Sequence, residues 1–310
     1  MTLLSVNNIS KTYRKTKKRA VSDVSFKVNA GDIVAFLGPN GAGKTTTLKI
    51  ILNLVSPDKG SIFFDGKDIT NNNLFLLKNT GVLLEGSKNM FWALSPMENF
   101  IYWGGQRGLS KKEAKKRGEE LLKTFGLLDK KYTSITMLSR GMQQIIGICC
   151  AMIAKPRLLI LDEPTLGLDL NATQIMTNSL RLLSKSGVGI LITTHQLDFA
   201  QEVANKILLI NHGKLVFSDS VKDSLERLNK RIIFEVAFSR TLTAKEVEKL
   251  LIYCEELKKT DKIYRLSGRE KTKLTEILKM LSELPVIKIE TVTRGLDEIF
   301  KYYIGRNNDD

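Results

Sequence analysis

Four side chains in this sequence, Lys44, Thr45, Asp162 and Glu163, are suited to phosphate chemistry. The first two close the run Gly38-Pro39-Asn40-Gly41-Ala42-Gly43-Lys44-Thr45, which fits G-x-x-x-x-G-K-[ST]. Glycines in such a run let the backbone turn tightly and aim its N–H groups at a phosphate. Lys44 then reaches the β- and γ-phosphates of a nucleotide, and the Thr45 hydroxyl is a ligand for Mg²⁺.

The two acids end the run Leu158-Leu159-Ile160-Leu161-Asp162-Glu163-Pro164. In a phosphate-loop fold, the end of such a buried strand lies beside the loop, at the carboxyl edge of the sheet. Asp162 is expected to hold Mg²⁺, directly or through water. Glu163 is expected to orient and polarise an attacking water as general base.

Elements must bring these groups together. Ile33 to Leu37 is apolar and rich in β-branched residues, so a buried strand is expected before the loop. Thr46 to Leu54 follows with helical spacing, and a helix N-terminus adds positive potential for an anion. Residues 3–9 and 23–37 read as short strands around a basic loop, and 61–66 as a strand ending in a turn. Residues 90–136 read as a mostly helical insert, with aromatics at Phe91, Trp92, Phe100, Tyr102 and Trp103 before a Lys-rich stretch. Further helices are expected at 140–154 and 171–186. Buried strands are expected at 158–161 and 188–194, and a strand pair around Asn211-His212-Gly213. This alternation implies a mainly parallel α/β sheet. The last stretch reads βαββαβ, which suggests a small ferredoxin-like appendage. The expected domains are therefore 1–228 and 229–310.

Several further motifs then fall in one order. Tyr13 stands in Lys-Thr-Tyr, and Leu138-Ser139-Arg140-Gly141-Met142-Gln143 precedes an apolar helix. Gly167-Leu168-Asp169 follows the acids, and His195 follows Thr193-Thr194. With residues 38–46 (through Thr46) and 158–163, the chain resembles the ATP-binding subunit of ABC transporters from residue 1 to about 225. The resemblance implies a phosphate-loop ATPase core, in which a mainly parallel sheet is joined by an antiparallel β subdomain and a helical subdomain. ATP and Mg²⁺ would be its ligands. It implies that Tyr13 stacks on adenine and that 38–46 is the Walker A loop. Ser139 and Gly141 would belong to the signature loop, Asp169 to the D-loop, and His195 would be the switch histidine. It also implies a homodimer that sandwiches two ATP molecules head to tail, with Ser139 and the Gly141 backbone serving the γ-phosphate of the opposite subunit. An integral-membrane permease would be a further partner, placing the chain in the cytoplasm on the inner face of the membrane. Phe91 and Trp92 would be contacts for that permease or core residues.

Two departures stand out. Glu85 occupies the position where the family usually has a glutamine, and it can still offer oxygen to Mg²⁺ or water. Arg140 stands where a second glycine is usual, either strengthening a nucleotide contact or facing solvent. With the Phe300–Ile304 ending, these variants look like the branch that exports drugs, antibiotics or polymers.

Composition sets bounds on partners. The 310 residues hold 48 Lys and Arg against 33 Asp and Glu, a net charge of +15. That excess favours an anionic partner, either nucleic acid or an acidic membrane surface. Basic runs include Arg14, Lys15, Lys17, Lys18 and Arg19, and Lys111 to Arg117. Each is a binding face or a solvated one. A soluble ABC ATPase acting on nucleic acid or ribosomes is therefore the alternative. One cassette and no long coiled coil disfavour it, as intact Lys44, Asp162 and Glu163 disfavour a non-enzymatic scaffold. Three cysteines without framework spacing indicate a reducing compartment, and Cys149 and Cys150 read as small buried hydrophobes. Two histidines argue against a multi-histidine metal site. No segment reaches the ~20 apolar residues of a membrane span, so the chain is expected to be soluble or peripheral. The appendage carries no catalytic constellation; a regulatory site, a dimer contact and a plain extension all remain open for it.

Overall fold

A computed structural model describes residues 1–14, 17–72, 74–84, 90–229, 233–260, 262–268, 274–292 and 294–305. Glu85 and Lys15 lie outside the described residues. The chain forms two compact units: Met1–Val221 with the chain from Phe300, and Lys222–Ile299.

The first unit opens with β1 (Thr2–Tyr13) and β2 (Lys18–Asn29), a long antiparallel pair. Both strands run further than 3–9 and 23–29, because their backbone ladder continues through Thr12 with Arg19 and Tyr13 with Lys18, although these end residues are exposed. The expected strand 23–37 is two strands. Gly31 takes a φ of 77°, and Asp32 accepts from the Asn29 backbone N–H at 3.0 Å, turning the chain before β3 (Ile33–Leu37). Next come α1 (Lys44–Ile51), β4 (Lys59–Phe64), the short β5 (Lys67–Asp68), α2 (Leu74–Asn79) and β6 (Thr80–Leu83).

The helical insert holds α3 (Pro96–Gln106) and α4 (Lys111–Thr124). Each starts with a capping box, Ser95 with Glu98 and Ser110 with Glu113. In a capping box the hydroxyl and the carboxylate reciprocally satisfy backbone N–H groups that a helix start leaves without partners. Helix α4 buries Ala114, Gly118, Leu121 and Leu122 and turns its lysines outward. Phe91 packs edge-on against Tyr102, with ring centroids 4.6 Å apart, yet both rings keep about two-fifths of their surface exposed.

The unit continues with α5 (Arg140–Met152), β7 (Leu158–Asp162), α6 (Leu170–Lys185), β8 (Gly189–Thr194) and α7 (Leu197–Val203). It ends with β9 (Lys206–Asn211) and β10 (Lys214–Ser220). Six strands form one sheet in the order β10-β9-β3-β8-β7-β6, parallel except for β10. All residues of β3, β7 and β8 are buried, as strands covered on both faces must be. A second sheet, β2-β1-β4-β5, shares a core with the first. Phe26 of one meets Phe36 of the other at 5.7 Å between rings. Each such fully buried side chain contributes about 1.5–3 kcal/mol. Polar ties join the sheets at two separate points. The Ser22 N–H donates to the Gly213 carbonyl at 2.8 Å, and the Arg157 guanidinium grips both Asp65 carboxylate oxygens at 2.8 and 3.2 Å. Cys149 and Cys150 are fully buried in α5, and burial pushes both thiols up.

After α8 (Val221–Leu228), the second unit runs β11 (Ile233–Phe238), α9 (Ala244–Tyr253), β12 (Cys254–Thr260), β13 (Ile263–Gly268), α10 (Leu274–Leu281) and β14 (Val286–Val292). The antiparallel sheet order is β12-β13-β11-β14, a split-βαβ, ferredoxin-like arrangement. Phe234, Val236, Phe238, Tyr264 and Leu266 pack under Leu250, Ile277 and Leu281. The division at Val221 comes one helix before the expected 228/229. Asn229, just after α8, exchanges hydrogen bonds with Arg294 at 2.9 and 3.0 Å, within the second unit. The closing helix α11 (Leu296–Gly305) ends in the first unit, where Tyr303 packs on Phe217 at 5.0 Å.

Candidate functional site

Strand register assembles the site. Leu37 lies beside Thr194, and Thr193 beside Asp162. The loop after β3, the acid ending β7 and the histidine following β8 therefore meet at one rim of the sheet.

The loop fits only because its glycines lack side chains. A Cβ on Gly38 would lie 2.4 Å from the Ile210 carbonyl oxygen, and one on Gly43 2.5 Å from the Ala20 oxygen. Gly43 also takes a φ of 115° as it starts α1, a left-handed backbone that side chains resist. Lys44 is buried, and its Nζ donates to the Gly38 carbonyl at 2.6 Å and the Pro39 carbonyl at 3.3 Å. The ammonium thus curls over the loop, at the helix end where an anion is favoured.

Asp162 and Glu163 are 2% and 7% exposed, which makes their partners decisive. Asp162 accepts from the Thr45 hydroxyl at 3.3 Å and from the Thr193 hydroxyl on its other oxygen. Glu163 has a φ of 50°, uncommon for a residue with a side chain, and its N–H donates to the Thr193 carbonyl at 3.0 Å. Its Oε1 lies 3.0 Å from Nδ1 of the half-exposed His195. Its Oε2 is buried and has no hydrogen-bond partner among the described residues.

A cavity of about 330 Å³ opens here. Tyr13, Lys18 and Ala20 line it from the antiparallel sheet. Pro39, Asn40, Gly41, Gly43, Lys44, Thr45 and Thr46 form its floor, with Asp162 and Glu163 beside them. Cations toward phosphate, paired oxygens at Thr45 and Asp162, and an orphaned carboxylate oxygen together fit a magnesium nucleotide and a water.

Ser139, Gly141 and Asp169 do not line this cavity. They cluster where α5 and α6 begin. Ser139 caps α5 by accepting from the Met142 N–H at 3.3 Å, and Asp169 caps α6 by accepting from the Ala172 N–H at 2.7 Å. Gly141 sits against Leu168 and Ala172. Arg140 is exposed. Lys18, Ala20 and Thr193 escaped the motif reading, although Thr193 stands in the Thr-Thr-His run that carried His195.

Residues 21–166 match the family described as ABC transporter. The doxorubicin resistance ATP-binding protein DrrA of Mycobacterium tuberculosis is 36% identical over 223 residues, covering 72% of this chain and 67% of that protein. An uncharacterized ABC transporter ATP-binding protein of Bacillus subtilis, YhcH, is 27% identical across 100% of this chain and 98% of its own length. A solved ATP-binding subunit of an ABC transporter is 31% identical, with a TM-score of 0.65 over 73% of this chain and 92% of that one. The similarity spans the cassette that holds the cavity, and this chain belongs to the ABC transporter family as an ATP-binding, ATP-hydrolysing subunit.

Proposed function

We propose that this ATPase subunit powers export of a substrate through a separate membrane permease. The observation that carries the ATPase chemistry is the buried, unpartnered Oε2 of Glu163, beside Asp162 and opposite Lys44 at one cavity. Lys44 neutralises the β- and γ-phosphates, and Tyr13 stacks on the base. Thr45 and Asp162 would hold Mg²⁺, whose charge would be shared with the phosphates. Glu163 takes a proton from water as the water oxygen bonds to the γ-phosphorus and the bond to the ADP oxygen breaks. His195 steadies the Glu163 carboxylate and offers its other ring nitrogen to the γ-phosphate.

Ser139, Gly141 and Asp169 act in this reading across a head-to-tail dimer, each on the nucleotide of the opposite copy. That they do not line their own copy's cavity supports that role, as does exposed apolar surface beside them at Met137, Leu166 and Leu170. ATP then joins two copies, and loss of the γ-phosphate releases them. Exposed Phe91, Trp92 and Tyr102 on the helical insert suit a permease contact. Among the described residues no helix is long and apolar enough to cross a membrane, so the span would come from that partner. Export rather than import rests on Arg140, on Glu85 and on the likeness to a resistance protein.

Two measurements test this. Glu163→Gln should abolish steady-state ATP hydrolysis while trapping an ATP-bound dimer; near-normal turnover refutes the role of Glu163. Purification of the tagged chain from detergent-solubilised membranes should bring down a multi-span protein. Recovery of RNA or ribosomal protein in its place favours the nucleic-acid reading.

A further inference from the structure

Strand β14 lies at the edge of the C-terminal sheet and pairs, among the described residues, with β11 alone. Ile287 through Thr291 are all exposed. Ile287 is 69% exposed and Ile289 38%. An open strand edge offers a row of backbone N–H and C=O groups to another strand, and proteins commonly guard it with a lysine. Lys288 looks like such a guard, but Glu290 sits two residues on, on the same face, with Lys288 Nζ 2.7 Å from its Oε1.

That spacing makes the edge complementary to itself. If a second β14 is laid antiparallel with Ile289 on the two-fold axis, each Lys288 falls opposite the Glu290 of the other copy. Ile289 meets Ile289, and each Ile287 lies diagonal to that pair, so the exposed isoleucines cover one another. Sliding by two residues sets Glu290 against Glu290, or Lys288 against Lys288. Sliding by one swaps the faces. One register alone pairs every charge with its opposite. Within its own sheet Glu290 has Lys288 of the same strand, but directly across the ladder it faces Glu235 of β11, another acid. Like charges placed so are unfavourable. Lys288 of a second copy would approach Glu290 from the open side.

We propose that the β14 edge takes a second copy of this chain, pairing antiparallel about Ile289 so that the two C-terminal sheets become one. This contact needs no nucleotide, which separates it from the ATP sandwich. The nucleotide-free, EDTA-treated full chain is therefore expected to sediment as a dimer at micromolar concentration. Lys288→Glu and Glu290→Lys, both at exposed positions, should each weaken that dimer about tenfold or more. The combined exchange K288E/E290K should restore it, and an equimolar mixture of the two single variants should form heterodimers in preference to homodimers. A nucleotide-free chain that stays monomeric overturns the proposal. So do single variants that leave the dissociation constant unchanged, or a combined exchange that fails to rescue.

Discussion

His195 Nδ1 lies 3.0 Å from Glu163 Oε1, on the side of the carboxylate away from the buried, unpartnered Oε2. The histidine therefore fixes the carboxylate plane while the other oxygen stays free for chemistry. Replacing His195 by Ala is expected to lower kcat about 10- to 100-fold with little change in the KM for ATP, as loss of a charge-assisted hydrogen bond of about 1.5–3 kcal/mol predicts. Steady-state ATPase assays across ATP concentrations check this. An increase confined to KM would assign His195 to binding alone.

Lys44 should behave in the opposite way. Its Nζ rests on the Gly38 and Pro39 carbonyls, close to where the phosphates must sit. Lys44→Ala should weaken nucleotide binding by roughly 10- to 100-fold, by loss of charge-assisted hydrogen bonds. Titration with a fluorescent ATP analogue reads it directly.

Thr193 gives its hydroxyl to Asp162 and its carbonyl to the Glu163 N–H. Thr193→Val keeps the shape and the carbonyl but leaves a buried carboxylate oxygen without its donor. The cost should be about 1–3 kcal/mol in unfolding free energy. A shifted Mg²⁺ dependence of the ATPase rate should accompany it.

Gly81→Ala should destabilise the fold without touching the cavity. A Cβ there would lie 2.3 Å from the Ala151 carbonyl oxygen, forcing β6 from α5 at a cost of about 1–3 kcal/mol. Chemical denaturation gives the loss, and nucleotide affinity of the remaining folded protein should be unchanged.

The C-terminal unit has its own pH signature. The Arg240 guanidinium bonds both oxygens of Glu246, and with the Thr243 cap it holds that carboxyl down to about 2. A depressed carboxyl stabilises the fold fully above its unfolded value near 4.5 and loses that contribution as pH falls through about 2. Arg240→Ala should raise the Glu246 titration midpoint by NMR. Its destabilisation relative to the parent should shrink steadily over that acid window; a constant difference would show that the pair is not coupled to folding.

Local chemistry was legible in the residue order. The capping boxes at Ser95, Ser110 and Thr243, each a hydroxyl with an acid three residues later, are local signals, although the sequence expectations above did not use them. The loop of Gly38 to Thr45 and the acids after Leu161 are also local signals. The meeting of the loop with Asp162 was expected from the phosphate-loop fold, but the strand between them was not. Thr45 and Asp162 stand 117 positions apart, and nothing in either segment states that β8 would lie between β3 and β7 and lend Thr193 to both acids. The turn at Gly31 is spelled locally by Asn29-Ala30-Gly31-Asp32 between two apolar segments, and a single strand over 23–37 passes over it. Lys18 looked like one member of a basic run, and its place on the cavity wall follows only from the pairing of β2 with β1.

The two ties between the sheets of the first unit bear on how ATP is received. Ser22 is fastened to Gly213 and Asp65 to Arg157, so the sheet carrying Tyr13 and Lys18 is tied at two points to the sheet carrying Lys44 and Asp162. Both walls of the cavity already face each other before a nucleotide arrives. Little ordering cost falls on binding at the single subunit, which leaves the interaction energy available for whatever the ATP must next hold in place.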